Sequence, residues 1–544
     1  MARASQFVVL GSIVVLVNAA LDGIHYREYL HASHQAYSRP PVAVVAQCVL
    51  AFFACTWGIV SSTPKLKPIR VTGSREMKNF DYYSALPAFV TFNHRSFSAP
   101  AAAPAAGSEA GASGGKGRLA EASGMEDAES KFQVSKLKHA VEEAEAACSG
   151  PGSGGVADDH AFWYSQPVPR MTDPELGPDE PRGPIVPSDI STVPKEALKL
   201  PAGFEWSSVR LDDDSELSEL YTLLKENYVE DSQAMFRFEY SKPFIQWAMM
   251  PPGYKLEWHV GVRVSSSRKL VAFIGATPAE IVIHGDRLSA CEVNFLCVHK
   301  KLRTKRLAPV LIREVTRRCN LAGVFQAAYT AGVVIPKPVG FCQYWHRSLN
   351  PKKLIDVGFS SLGPRNTMSR LIKMLKLPDE PLTRGFRPLR PADVPVCCAM
   401  LNEHLKRFKY YQVFDEAEFA HWLLPREGVV FSYVVEGEGG ALTDMASFYN
   451  LPSSIIGNEK YPTLHAAYSY YTVAKKTSLD ALMKDAMIEA CRHNFDVFNA
   501  LDLQDNASVL SNLKFGPGDG KLQYYAYNWK CQKIAANEVG LILL

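Results

Sequence analysis

Metal and disulfide chemistry find no foothold in this 544-residue sequence: its eleven cysteines include no Cys-x-x-Cys pair and no Cys/His cluster at metal-ligand spacing. A disulfide framework is out of place in a chain this long, which points to a reducing compartment. Charge of one sign is scarce as well. The 59 Lys and Arg against 56 Asp and Glu leave a net +3, which gives no global footprint for nucleic acid or an acidic partner. Apolar surface, by contrast, is plentiful. With 47% hydrophobic residues the chain can build large folded cores, so disorder can only be local.

The local exception is residues 96–159, which collapse to Ala, Gly, Ser, Pro and Glu and cannot bury enough apolar surface to fold, although 131–147 has the makings of a helix. Ahead of this disordered linker lie two apolar runs, 7–21 and 41–60. A cleaved signal peptide would account for the first alone. A transmembrane hairpin of two helices accounts for both. Asp22, Arg27, Glu28 and Arg39 fall between the runs, while Lys65, Lys67, Arg70, Arg75 and Lys78 crowd the far side, a bias that places everything after residue 61 in the cytosol.

Beyond the linker, strands are expected at 258–264, 270–276, 280–284, 291–298 and 324–329, with a helix from Pro309 between the last two. A similar order returns as strands at 464–473, 495–500 and 522–527 around an amphipathic helix at 478–493. The fold expected is mixed α/β in two related halves, 160–375 and 376–544.

The most telling stretch is 292–300, EVNFLCVHK. Val293, Phe295, Cys297 and Val298 suit a buried strand, which stops at His299, Lys300 and Lys301. The loop 301–306, KLRTKR, then leads into a helix with Pro309 in its first turn. Free N–H groups, the positive end of the helix dipole and flanking cations would converge there on a phosphate-bearing ligand. The plainer alternative is a buried strand followed by a solvated basic loop.

Strand, basic loop and helix in this order are similar to the coenzyme A site of GNAT-type acyltransferases. Arg303, Arg306 and Ala308 occupy the places of that family's loop motif, with Arg306 where a glycine is usual. The whole string EVNFLCVHK, with KFGPGDG at 514–520, resembles the two signatures of N-myristoyltransferases, and the resemblance runs from about residue 162 to 544. It implies two GNAT-like halves with mixed sheets, the first carrying acyl-CoA and the second completing a peptide groove. The activity it implies is transfer of myristate from myristoyl-CoA to the N-terminal glycine of nascent or finished proteins. No metal and no tightly bound cofactor are implied, no nucleic acid is a partner, and the core is expected to be monomeric.

By the same resemblance, Phe162 and Trp163 lie over the acyl-CoA. Phe295, Leu296, Cys297, Val298, Arg303, Thr304, Arg306, Leu307 and Ala308 hold its CoA half. The backbone N–H groups of Phe295 and Leu296 form the oxyanion hole, which a strand can offer only where a bulge frees them. Asn294 and Thr330 hold the glycine amine, and Tyr228, Val229, Glu230, Asp231, Phe236, Tyr240, Tyr344, His346, Asn499 and Asp519 line the peptide groove. The α-carboxylate of Leu544, at the end of the apolar tail GLILL, is the implied base. Without the resemblance, Tyr344 and His346 read as core residues; core packing is the alternative for Phe162 and Trp163, and a segment docked for stability the alternative for the tail. Cys297 reads as a structural thiol rather than a nucleophile. The lysine-rich run that many members carry before the core is absent here.

Residues 1–95, through their two apolar runs, HYREYL at 25–30 and FVTFNHR at 89–95, resemble the small two-span subunit of the endoplasmic reticulum membrane protein complex, a family also described as membrane magnesium transporters. That implies a cytosolic catalytic core tethered to the endoplasmic reticulum membrane through 7–60, by natural fusion or by two neighbouring genes read as one. A different class of function stays open, a membrane-insertion or transport component carrying an inactive acyltransferase-like module.

Overall fold

The structure, a computed structural model, describes residues 42–62, 160–230, 235–363 and 367–544, with isolated helical positions between 12 and 22. The chain divides into two compact units, Met1–Gly115 and Lys116–Leu544. In the first, Val42–Ser62 form a 21-residue helix. Its described side chains cover only 43–48 and 50–57. Among the described residues no helix is long and apolar enough to cross a membrane. The expected two-helix hairpin therefore does not emerge. Most of its first run, the linker 96–159 and the helix expected at 131–147 lie outside the described residues.

The second unit is built on one mixed sheet. Its strands from the first half are β1 (Phe204–Ser208), β3 (His259–Val264), β4 (Leu270–Ile283), β5 (Asp286–Val298), β6 (Gln326–Ala331) and β7 (Gly340–Ser348), with β2 (Phe236–Phe238) set apart. The second half adds β8 (Phe386–Pro388), β9 (Tyr410–Val413), β10 (Val430–Glu436), β11 (Leu442–Asn450), β14 (Ala466–Val473), β15 (Val497–Leu501) and β16 (Gly516–Tyr527). The order across the sheet is β1-β3-β4-β5-β6-β16-β7-β15-β14-β11-β10-β8, and β9 pairs with the far end of β4. A small second sheet joins β2 to β12 (Ser453–Ile455) and β13 (Thr463–Leu464).

Among these strands, β5 with β6 and β14 with β15 run parallel. Parallel neighbours need a crossover, and each pair is joined through a helix, Leu307–Leu321 in the first case and Leu479–Arg492 in the second. This is the repeated strand–helix–strand order read from the sequence. The halves nevertheless share a single sheet rather than owning one each. Strand β16 inserts between β6 and β7, and β9 crosses back to β4. The strands expected at 270–276 and 280–284 are also one long strand, turned into β5 by the left-handed residues His284 and Gly285.

The helix Leu307–Leu321 is fixed by a buried carboxylate. Glu314 is fully buried and binds Arg317 at 2.8 Å and Arg318 at 2.7 Å. Burial pushes its pKa up, but the hydrogen bonds from the two guanidinium groups outweigh that and hold it below the usual range. Arg317 in turn donates to the Pro194 and Lys195 carbonyls, and Arg318 to Ser208 and the Glu257 carbonyl, so the helix is keyed to the chain on both sides.

The last residues are threaded into the core. Val539 bridges to Tyr410, whose carbonyl accepts from the N–H groups of Gly540 at 2.7 Å and Leu541 at 2.9 Å. Gln504 donates to the Gly540 carbonyl, and Leu541, Ile542 and Leu543 are buried. Only a glycine fits at 540: an added Cβ would sit 2.9 Å from Phe408 Cδ2 and 3.1 Å from its Cβ and Cγ. Gly540→Ala is therefore expected to cost about 1–3 kcal/mol by overpacking, seen as a lower midpoint in thermal unfolding and faster amide exchange at 540–542. Unchanged exchange in that segment would mean that Phe408 yields and the tail is not tightly seated.

Candidate active site

The strand β5 breaks its ladder at one place. Phe273 of β4 pairs with Cys297 and Gly275 with Asn294, so Phe295 and Leu296 together oppose Ile274. This is a β-bulge, and Phe295 takes the left-handed conformation with φ +57°. Such a backbone costs a non-glycine residue on the order of 1–3 kcal/mol, which the surroundings must offset. The Phe295 ring is 1% exposed and packs edge-on against Tyr240, with centroids 5.0 Å apart, and at 6.0 Å against Tyr228. Burial of a phenyl group is worth about 1.5–3 kcal/mol, enough to hold the bulge.

The bulge opens on a cavity of about 1200 Å³. Two sets of side chains line it. Trp163, Ile312, Val315, Cys319, Val324 and Tyr329 give an apolar set from the entry segment, the helix Leu307–Leu321 and β6. Tyr228, Phe236, Tyr240, Tyr344, His346 and Asp519 give an aromatic and polar set on the other side. Asn294, Phe295, Leu296, Thr330, Leu543 and Leu544 also line it, so the bulge, two small polar side chains and the chain end share one space.

Several electrostatic details shape that space. Burial and the nearby Cys297 thiol raise the Tyr228 pKa, while a hydrogen bond from the Phe295 N–H lowers it, so that donor is directed at the Tyr228 phenol. His346 is pushed below its ordinary value by burial, which outweighs its bond to Asn499 and the nearby Asp519, so the ring is neutral near pH 7. Its Nδ1 lies 2.7 Å from Asn499 Oδ1, leaving Nε2 beside Gly518, where an added Cβ would overlap it. Glu230 is raised by burial, but the hydrogen bonds of Lys300 at 2.6 Å and Arg237 at 2.5 Å prevail and keep it ionised.

The residues expected at the site fall into three groups. Asn294, Phe295, Leu296, Thr330, Tyr228, Val229, Glu230, Phe236, Tyr240, Tyr344, His346, Asp519, Trp163 and Leu544 all line the cavity. Asn499 stands behind His346 and orients it. The rest lie elsewhere. Cys297 and Val298 are buried in the two cores flanking β5, and burial pushes the Cys297 thiol up to about 12, which leaves no thiolate for covalent chemistry.

The basic loop differs in form from the expectation. Residues Lys300–Lys305 wind into a 3-10 turn, and Arg306 caps the following helix with φ +53°. Leu307 is buried, Ala308 half-buried, and the Arg303 guanidinium is tied to the Asn227 carbonyl. Phe162 lies under the Arg313 guanidinium at 5.6 Å, beside a stack in which Trp163 meets Tyr329 at 6.0 Å and Tyr329 meets Tyr525 at 4.8 Å. Asp231 and the Thr304 side chain are outside the described residues.

Sequence reasoning missed Tyr449, buried, and Tyr468, half-buried, which line the cavity and stack on each other at 5.4 Å, because single aromatics on buried strands look like core. It also missed the Lys300–Glu230 pair, since nothing in the spacing of residues 70 apart announces a contact.

Comparison with known proteins agrees with this geometry. Family models described as the N-terminal and C-terminal domains of myristoyl-CoA:protein N-myristoyltransferase match residues 184–342 and 356–541. The chain is 55% identical over 392 residues to glycylpeptide N-tetradecanoyltransferase 1 of Arabidopsis thaliana, covering 71% of this chain and 90% of that protein. It is 46% identical to glycylpeptide N-tetradecanoyltransferase of Plasmodium falciparum over 71% of this chain and 94% of the relative. A crystal structure of Saccharomyces cerevisiae N-myristoyltransferase with bound myristoyl-CoA superposes with a TM-score of 0.68 at 40% identity, covering 72% of this chain and all of the other. The chain belongs to the myristoyl-CoA:protein N-myristoyltransferase family.

Proposed function

We propose that this chain transfers the tetradecanoyl group of myristoyl-CoA to the N-terminal glycine of proteins by direct attack of the amine on the thioester. The observation that carries the reading is the bulge at Phe295 and Leu296 sharing one cavity with Asn294, Thr330 and the chain end. Burying a tetradecanoyl chain against the apolar lining, at about 0.8 kcal/mol per methylene, brings on the order of 10 kcal/mol. Trp163, with Phe162 beside it, closes over that chain. The 3-10 turn and the helix N-terminus at Leu307 suit the pyrophosphate of CoA, with Arg303, Thr304, Arg306 and Ala308 around it. CoA is then a substrate that departs on each turnover.

In this mechanism Asn294 and Thr330 hold the glycine amine, and the backbone N–H groups of Phe295 and Leu296 receive the oxyanion. An α-ammonium with pKa of about 7.7–8.0 must lose a proton before it attacks. The Leu544 carboxylate accepts that proton, the C–N bond forms, and the tetrahedral intermediate expels the CoA thiolate. The second amine proton goes to the departing sulfur. Tyr228, Val229, Glu230, Asp231, Phe236, Tyr240, Tyr344, His346 and Asp519 form the peptide groove, and the two GNAT-like halves, 160–375 and 376–544, supply the acyl and peptide sides.

A second reading concerns residues 1–95. The helix Val42–Ser62 exposes Leu50 at 71%, Phe52 at 63%, Phe53 at 65% and Trp57 at 63%, aromatic and aliphatic surface that water does not favour. We infer a membrane anchor there, holding the core at the endoplasmic reticulum. The full chain should then pellet with membranes through an alkaline carbonate wash, and recovery in the soluble fraction would remove the anchor.

The core reaction is tested by release of CoA thiol from myristoyl-CoA with a glycine-initiated peptide, and a folded protein that releases none refutes it. Peptides beginning with alanine should be inert, since the amine pocket leaves no room for a Cβ. A few residues added after Leu544 should abolish transfer while myristoyl-CoA still binds. Full activity of the extended chain would move the base elsewhere. Gly518→Ala should push His346 aside and raise the peptide KM roughly tenfold or more, as expected for 1–3 kcal/mol of overpacking, with myristoyl-CoA affinity unchanged. An unaltered peptide KM would show that His346 does not contact the acceptor.

A further inference from the structure

One buried carboxyl has no part in the chemistry so far. Glu292 lies on β5 two residues before Asn294, 6% exposed, and its Oε1 has no hydrogen-bond partner. It faces Tyr410 of β9, Tyr470 and Tyr471 of β14, and Glu418 of the helix Glu416–Leu423. On the flanking strands its neighbours are Thr277 and Ala328. None of these groups is a cation.

Two of the tyrosines are the ones that seat the chain end. The Tyr410 carbonyl accepts from Gly540 and Leu541, and the Tyr471 hydroxyl accepts from the Ile542 N–H at 3.4 Å. Two residues further on, Leu544 reaches the cavity beside Asn294 and Phe295. Glu292 thus lies on the strand that carries Asn294, beside the tyrosines that hold the tail.

We infer that Glu292 is a positioning residue for the acceptor site: as a neutral acid it keeps the terminal segment seated against the bulge of β5. The inference rests on the reading of the Leu544 carboxylate as base. A neutral carboxyl is tolerated among the phenol rings. An ionised one would face Glu418 without a counter-charge among the groups named, and could be relieved only by letting water in or the tail out. Burial, and secondarily Glu418, place its pKa at about 8, so the neutral form prevails at neutral pH and is lost just above it.

Stability follows the same titration. A carboxyl whose folded value is raised binds its proton more tightly when folded, so its stabilising effect is complete below the ordinary value of 4.5 and is lost as pH rises toward about 8.

The test compares the full chain with Glu292→Gln, which keeps the neutral form at every pH. Titration of the peptide amine is common to both proteins, so the reading is the ratio: wild-type kcat/KM for a glycine peptide, divided by that of the Gln variant, should fall about tenfold per pH unit above pH 8, while myristoyl-CoA affinity stays level. The Gln variant should lack this added alkaline limb and the matching fall in thermal stability between pH 5 and 8. The same limb in both proteins overturns the inference. If the variant does not fold, infrared spectra of the wild type decide instead. A buried protonated carboxyl band should be present at pH 6 and gone by pH 10, and its absence at pH 6 overturns the inference equally. The chain extended beyond Leu544 separates the two readings. Full activity there removes the terminal base whatever Glu292 does, whereas an inactive extended chain with an unchanged alkaline limb in Glu292→Gln removes Glu292 alone.

Discussion

The whole site hangs on a backbone irregularity, the two residues Phe295 and Leu296 set against the single Ile274. A regular strand would tie its N–H groups into the sheet and leave none for a developing oxyanion. The bulge breaks that ladder at Phe295, whose N–H turns to the Tyr228 phenol and under the proposed mechanism receives the oxyanion, and the left-handed backbone it requires is held by Tyr228 and Tyr240 closing on the Phe295 ring. The aromatic side chains that frame the cavity therefore act first on the backbone. Removing one would loosen the bulge itself.

The second constraint is the shared sheet. Because β16 lies between β6 and β7, its irregular start, which carries Gly518 and Asp519, is delivered next to His346, and Tyr524 of β16 pairs directly with Thr330 of β6. The Gln343 amide pins that stretch by donating to the Gly518 and Gly520 carbonyls. On the opposite edge β9 pairs with β4 and also carries Tyr410, which grips the tail. Residues more than 200 positions apart thus meet at one cavity without a hinge between halves, which suits a reaction that must align an amine, a thioester and a proton acceptor together.

What the sequence disclosed, and what it hid, follow from range. The strand ending at Val298, the helix after it and the burial of GLILL were legible because each is written in consecutive residues: an apolar run that stops at lysines, a periodic stripe, a tail without charge. The need for a bulge followed from chemistry, but its position came only from the resemblance carried by EVNFLCVHK. The interleaving of β16 and β9 was not legible, since pairing partners leave no local pattern. The same holds for the Glu230–Lys300 pair and for the Arg303 contact with the Asn227 carbonyl. Glu292 was visible only as the first letter of a signature. A lone acid in an apolar run has no reading until its neighbours are known to be tyrosines.

The charges around the cavity explain why an amine is a fitting guest under the proposed mechanism. Among the described lining residues Lys521 is the one Lys or Arg, and it is drawn over the Phe341 ring at 5.1 Å. Of the lining acids, Glu230 is spent on Lys300 and Arg237, and Asp519 is exposed. Among the described lining residues a carboxylate at the end of the buried tail then has no fixed counter-ion, and under the proposed mechanism the incoming ammonium is the partner that relieves it. That attraction has an opposite side: a carboxylate that stabilises the ammonium also raises the amine pKa and slows the loss of the proton that attack requires. The two demands are reconciled only if the carboxylate accepts the proton as the C–N bond forms, when charge moves from the amine to the oxyanion at the bulge. Under that mechanism binding and base catalysis use the same group at successive stages, so its placement matters more than its intrinsic basicity, and the seating of the last five residues would govern the chemistry.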